Sequence, residues 1–146
     1  MNSVILSCPS CGQNNKIPAD KQHLRPKCGK CASSISLTNK AVPVELEDSN
    51  FQSFISAASI PVMVDFFSPT CGPCQMMFPI VDALAQQFVN RGIVAKIDTS
   101  RNQRTASHFS IRGVPSFLFF KNGKLVDQIV GGVPESVLAQ KLSSLL

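Results

Sequence analysis

The six cysteines of this chain fall into three Cys-x-x-Cys pairs: Cys8-Pro9-Ser10-Cys11, Cys28-Gly29-Lys30-Cys31 and Cys71-Gly72-Pro73-Cys74. A pair at this spacing can hold a metal, exchange electrons as a dithiol, or staple the fold as a disulfide. What surrounds each pair decides between them.

The first two pairs are sixteen residues apart, giving C-x2-C-x16-C-x2-C. That is a zinc spacing. Each turn directs two thiolates to one side, and two facing turns complete a tetrahedral S4 site with Zn–S near 2.3 Å. Gly12 and Gly29 are expected to give these knuckles their backbone freedom. Residues 1–40 carry only scattered apolar side chains (Ile5, Leu6, Ile17, Leu24, Ile35, Leu37). Such a segment cannot fold on its core alone and needs a metal or bridges. The opening MNSVILSCPSC lacks a basic n-region, so the expected compartment is the cytoplasm, where thiols stay reduced. One structural Zn2+ per chain on Cys8, Cys11, Cys28 and Cys31 is therefore expected. Two disulfides or another thiophilic metal are the alternatives.

The third pair follows an apolar run, Pro61–Phe67, and opens a long helical pattern. A thiol at a helix N-terminus meets unpaired N–H groups and the positive end of the dipole, which favour the thiolate. Cys71 should be the exposed nucleophile. Cys74, one turn in, should be more buried and resolve a mixed disulfide. Pro73 fits the first turn, where its missing N–H costs little. Gly-Pro supplies no cation, so the couple is expected to be reducing. As a metal knuckle this pair would need two more ligands, and outside the N-terminal segment only His108 and carboxylates remain, with no matching spacing.

The elements that must position these groups divide the chain. Residues 1–38 form a zinc-binding, ribbon-like domain, residues 39–43 a linker, and residues 44–146 an α/β domain. In the α/β part, Val44–Leu46 reads as a strand. A helix capped by Asp48 or Ser49 follows, to about Ala58. The run through Phe67 and Ile93–Ile97 have the continuous apolar character of central strands. Cys71 to about Val89 is a helix with Met77, Ile80, Val81, Leu84 and Phe88 on one stripe and Pro79 inside. Arg101–Phe109 is a weaker helix. Ser116–Phe120 and Leu125–Val130 form a hairpin around Asn122-Gly123. Glu135–Leu145 closes the chain as an amphipathic helix.

The net charge of +5 sits in residues 1–40, where six basic residues face Asp20 alone. Aromatics are absent there, so bases could not stack, and the lysines are taken to solubilise a thiolate-bearing domain rather than to bind nucleic acid. No apolar run is long enough to span a bilayer, so a membrane partner is not expected.

Residues 44–146 resemble the thioredoxin family. VMVDFFSPTCGPCQMMFPIV matches its strand, CGPC active site and Pro-kinked helix. FSIRGVPSFLFFKNGKLVDQIVGG matches its later segment. With the cysteine-rich extension, the full length resembles bacterial members that carry an N-terminal zinc-binding domain. The resemblance implies the thioredoxin fold, a central mixed sheet flanked by helices. It places Val114-Pro115 at the family's cis-proline and Gly131 beside the substrate groove, with Gly72 and Pro73 on the same rim. A charge in a central strand, Asp65, is costly unless paired or neutral. It is either an Asp at the strand's solvent end or a buried carboxyl that moves protons to and from Cys74. The family assigns the second role, with Lys96 as its partner. Thr70 and Phe67 stand where the family usually has Trp, and Gln75 where Lys is common.

The expected activity is protein-disulfide reduction by thiol–disulfide exchange. Disulfide-bearing client proteins would be its substrates and an NADPH-dependent thioredoxin reductase its electron donor, and the exchange needs no cofactor. An oxidase or isomerase would favour a secretory signal or a less reducing dipeptide. A redox-responsive zinc-binding interaction module on a thioredoxin scaffold is the other alternative.

Overall fold

A computed structural model describes residues 3–8, 10–18, 27–33 and 42–146. The expected linker falls outside them up to residue 41. In the N-terminal part, β1 (Ser3–Ser7) pairs antiparallel with β2 (Asn14–Pro18), Ser7 opposite Asn14. The first knuckle is the turn between them.

From residue 44 the order is β3 (Val44–Leu46), α1 (Phe51–Ala57), β4 (Val62–Phe67), α2 (Gly72–Gln87), β5 (Ile93–Asp98), α3 (Gln103–His108), β6 (Ser116–Lys121), β7 (Lys124–Val130) and α4 (Glu135–Ser143). The strands form one mixed sheet in the order β3-β5-β4-β6-β7. β3 and β4 run parallel to β5, and β6 runs antiparallel to β4 and β7. Helical crossovers allow the parallel pairs. A two-residue turn closes the hairpin, Asn122 and Gly123 having φ of 54° and 79° as such turns require.

Strand alternation sorts the core onto two faces. Val64, Phe66, Ala95, Ile97, Leu118 and Phe120 meet Phe51 and Ile55 of α1. Met63, Val94, Phe117 and Phe119 meet Met77, Val81 and Leu84 of α2 and Leu138 and Leu142 of α4. Cover on both faces is why the central strands are almost uninterrupted apolar runs. Each fully buried Phe contributes about 1.5–3 kcal/mol.

One capping expectation is corrected. α1 starts at Phe51 with Asn50 in the cap position, not Asp48 or Ser49. Asp48 serves α3 instead: its carboxylate accepts the N–H of Thr105 at 2.8 Å, the Thr105 hydroxyl at 2.7 Å and the N–H of Arg104 at 3.3 Å. Those bonds, the Thr105 hydroxyl first, hold its carboxyl below the usual range. Asn102 returns the contact, its side-chain oxygen accepting the Asp48 N–H at 2.9 Å. The short α3 has no side-chain cap of its own, and its orphan N–H groups take the nearest carboxylate. Among the described residues no helix is long and apolar enough to cross a membrane.

Candidate functional site

β4 delivers the chain to Cys71, the N-cap of α2, with Gly72 and Pro73 as the first helical residues. Cys71 and Cys74 are joined as a disulfide, their Cα atoms 5.2 Å apart. Cys71 is half-buried, whereas Cys74 has 0% exposure. Only Cys71 offers a sulfur to an incoming group. The Cys74 N–H points at Cys71 Sγ at 3.1 Å. An amide aimed at that sulfur, with the dipole behind it, stabilises negative charge there once the bond is reduced.

The opposite wall of the site is the loop before β6. The Val114–Pro115 bond is cis, and Cys71 Sγ lies 3.7 Å from the Val114 carbonyl oxygen. Two bonds pin this loop: the Ser116 hydroxyl donates to Gly113 O at 2.6 Å, and the Gly131 N–H donates to Pro115 O at 2.8 Å. Gly131 has φ +93°, a conformation that favours glycine. This role of Ser116 is not legible in the sequence. Its one signal was a small polar residue opening the run Ser116–Phe120.

On the other rim, Phe67 stacks edge-on against Phe78 of α2 with centroids 5.2 Å apart. Thr70 and Ser68 share a hydroxyl contact at 3.2 Å, and the Gln75 amide donates to Pro69 O at 2.9 Å. These polar contacts clasp the loop between β4 and α2.

Asp65 has 0% exposure, and neither carboxylate oxygen has a hydrogen-bond partner. It stands two residues from Met63 in β4, so it lies on the same sheet face, the one that α2 covers and on which Cys74 is buried. Burial pushes its carboxyl up to about 7, while the Lys96 ammonium pulls the other way. A solvent-facing Asp is thereby ruled out. Lys96 therefore acts on Asp65 through charge and not through a hydrogen bond. Lys96 is the neighbour of Asp65 in register, but its Nζ lies 3.7 Å from Glu45 Oε1 on the far strand. It also sits 5.4 Å from the Phe78 ring centroid and 5.8 Å from that of Phe67. At that edge the ammonium stays partly hydrated, and burial beside Asp65 would strip its water away.

In the N-terminal part, the sulfurs of Cys8, Cys11, Cys28 and Cys31 all lie within 4.8 Å of one another. Cys8–Cys31 and Cys11–Cys28 are 3.5 and 3.7 Å apart. A tetrahedron with metal–sulfur bonds near 2.3 Å has edges of about 3.8 Å, so the cluster fits such an ion. The knuckles repeat one geometry. Gly12 N–H donates to Cys8 O at 3.0 Å and Ala32 N–H to Cys28 O at 2.9 Å. The N–H groups of Ser10 and Lys30 each point at the first sulfur of their knuckle at 3.4 Å. The left-handed residues are Gly12 and Ala32, at φ 78° and 63°. Gly29 does not have that role, because the reversal follows the second cysteine of each pair. Asn15, also missed in the sequence, ties β2 to the second knuckle: its side chain accepts the Gly29 N–H at 2.9 Å and donates to Cys28 Sγ at 3.5 Å. The thiols differ sharply. Cys28 is drawn down to about 6, first by the backbone N–H of Cys31. Cys11 is pushed up to about 11: a favourable Gln13 amide is outweighed by desolvation and the neighbouring thiols. Four thiolates this close need a cation to ionise together.

Comparison with known proteins agrees with both halves. The Thioredoxin family model matches residues 42–144, and the model described as Thioredoxin 2, N-terminal, a zinc ribbon, matches residues 7–33. Thioredoxin C-3 of Corynebacterium nephridii is 35% identical over 144 residues, 98% of this chain and 96% of that protein. Thioredoxin 1 of Synechococcus elongatus is 42% identical over 102 residues, covering 70% of this chain and 95% of the relative. A solved structure, a mutant thioredoxin from Halobacterium salinarum, superposes with TM-score 0.66 at 35% identity, covering 71% of this chain and 90% of its own. With its helix-capping disulfide and matching sheet, the chain belongs to the thioredoxin family of disulfide oxidoreductases, with that family's zinc-ribbon module in front.

Proposed function

We propose that this chain is a cytoplasmic protein-disulfide reductase acting through the Cys71-Gly72-Pro73-Cys74 dithiol. The observation that carries the proposal is the arrangement of the two sulfurs: an amide hydrogen aimed at the accessible Cys71, with Cys74 fully buried behind it.

In the reduced enzyme, Cys71 thiolate attacks one sulfur of a client disulfide. The Cys71–client bond forms, the client S–S bond breaks, and the departing client thiolate takes up a proton. Asp65 carboxylate then accepts the Cys74 proton, and Cys74 attacks Cys71 Sγ. The second client thiolate leaves and is protonated. The client is reduced by two electrons and the enzyme is left with the Cys71–Cys74 disulfide. An NADPH-dependent thioredoxin reductase returns the electrons. Lys96 tunes the charge on Asp65. Gly72, Pro73, Val114, Pro115 and Gly131 form the rim on which an extended client segment lies, the backbone of Val114 offering strand-like pairing.

Residues 1–38 form a separate domain joined through residues 39–43 to the thioredoxin domain, residues 44–146. Cys8, Cys11, Cys28 and Cys31 would hold one Zn2+, which supplies a structural cross-link and leaves no open coordination position. Client proteins and the reductase are the expected partners, with no role for nucleic acid or a membrane.

The test is turnover of a protein disulfide with NADPH and thioredoxin reductase, together with equilibration against glutathione. A reductase gives NADPH-coupled turnover and a potential near about −270 mV. A value above about −200 mV, towards the roughly −120 mV of a strong oxidant, would point to an oxidase.

A further inference from the structure

Register places Glu45, Lys96 and Asp65 on one rung across β3, β5 and β4. All three lie on the face that α2 covers, since Val44 and Leu46 pack on the opposite face. The ammonium therefore stands between two carboxyl groups of opposite character. Glu45 is 80% exposed and lies 3.7 Å from Lys96 Nζ, while Asp65 is sealed without a hydrogen bond. The Phe67 and Phe78 rings flank the ammonium. Lys96 opens onto a cleft of about 350 Å³ lined by Glu45, Glu47, Phe67, Asp98, Arg101 and others.

We propose that Glu45 is a positioning residue: it holds Lys96 at the outer end of the Glu45–Lys96–Asp65 rung and so limits the charge the ammonium shares with the buried carboxyl. This rests on the proton-transfer role proposed above for Asp65. The other charged groups around the rung do not compete for that function. Asp98 Oδ1 is engaged by the Ser100 N–H at 2.9 Å and the Ser100 hydroxyl at 2.6 Å. Glu47 and Arg101 are exposed on the cleft wall. β6 presents Phe117 at the Asp65 rung, and the one charged residue in α2 is Asp82, two turns beyond Cys74.

Removing the outer carboxylate frees the lysine stem to turn inward. The ammonium then stabilises Asp65 carboxylate more strongly, and Asp65 gives up its proton at lower pH. A partly exposed pair of this kind supports a shift of about half a pH unit.

The experiment follows the Asp65 carboxyl carbon by NMR through a pH titration, in wild type, Glu45→Gln, Lys96→Met and the double variant. Turnover against pH is measured alongside. Glu45→Gln is expected to lower the Asp65 midpoint, and Lys96→Met to raise it. In the Lys96→Met background Glu45→Gln should have almost no effect, because its action runs through the ammonium. An unmoved midpoint in Glu45→Gln overturns the proposal. So does an equal shift in both backgrounds, which would mean that Glu45 acts directly as a distant charge. If the NMR midpoint moves as expected while the pH–rate profile does not, the positioning role stands and the proton-transfer role of Asp65 falls.

Discussion

Cys8–Cys11 and Cys71–Cys74 have the same spacing and a similar electrostatic setting. In each, a backbone N–H points at the first sulfur, from Ser10 at 3.4 Å in the knuckle and from Cys74 at 3.1 Å in the helix. They part at the residue after the second cysteine. Gly12 turns left-handed, the chain reverses into β2, and both sulfurs face the matching pair from Cys28 and Cys31. Gln75 instead continues α2, and Cys74 is driven into the core on the side of Asp65. A thiolate surrounded by thiols gains most from a cation. A thiolate beside one buried sulfur and a carboxyl gains most from exchange. The motif supplies the sulfurs, and the next turn of backbone assigns their chemistry.

The sharpest way to break this comparison is to exchange sulfurs for hydroxyls in each pair. Cys71→Ser should reduce disulfide exchange to the uncatalysed level, because no accessible nucleophile remains. Cys74→Ser should retain attack but lose resolution, so clients stay bound through Cys71 and appear as high-mass bands on a non-reducing gel. Cys28→Ser should leave exchange intact while metal content falls. High-mass adducts from Cys71→Ser rather than Cys74→Ser would reverse the two roles. Adducts from the Cys71/Cys74 double variant would show that the knuckle sulfurs are themselves reactive.

Metal removal is the next largest perturbation. A structural Zn2+ in a small module is worth about 10–16 kcal/mol at neutral pH, far more than β1 and β2 can supply by packing. A chelator should therefore expose the β1 and β2 amides to hydrogen exchange and open four thiols to alkylation. The amides of β4 and β5 should stay protected, and the Cys71–Cys74 disulfide should not react. Loss of protection in both regions would show that the two parts fold as one unit.

Asp65 supplies the third contrast, since among the described residues no buried carboxyl stands beside the knuckles. Its carboxyl rises in the folded state from 3.8 to about 7, so the folded chain holds a proton that the unfolded chain has released. Stability should therefore be greatest below the unfolded value and fall as pH climbs through the window between the two. The loss is bounded by about 4 kcal/mol, the linkage value of a shift this size. Asp65→Asn should flatten that decline in urea titrations at several pH values and slow the resolving step. An identical decline in the Asn variant would place the titrating group elsewhere.

These contrasts also mark how far the sequence carried the fold and the site. The central strands were legible because cover on both faces demands unbroken apolar runs, and the hairpin because Asn122-Gly123 suits few other turns. The cysteine spacings separated the two kinds of pair, and Asp65 stood out as a charge where charge is costly. The rest depended on groups that meet only after folding. Asp48 caps a helix more than fifty residues away, at Thr105. Lys96 faces two carboxyl groups, and alternation alone could not say that its ammonium turns towards Glu45. Ala32 takes a left-handed conformation that composition would have assigned to Gly29.

Asn15 gives the smallest expected effect and the finest test of the comparison. It belongs to neither Cys-x-x-Cys pair, yet it accepts the Gly29 N–H and donates to Cys28 Sγ. Groups that orient a metal ligand in this way typically carry a 10–100-fold share of affinity, so Asn15→Ala should weaken Zn2+ binding by about that factor. Asn15→Asp should weaken it as well, because a carboxylate cannot donate to the sulfur and adds negative charge beside the thiolates. Competition with a chromophoric chelator measures both variants. The Cys71–Cys74 potential should stay at the wild-type value, since nothing in the Asn15 contacts reaches α2. Unchanged metal affinity in Asn15→Ala would reduce Asn15 to a turn residue. A shifted potential would show that the two cysteine sites communicate.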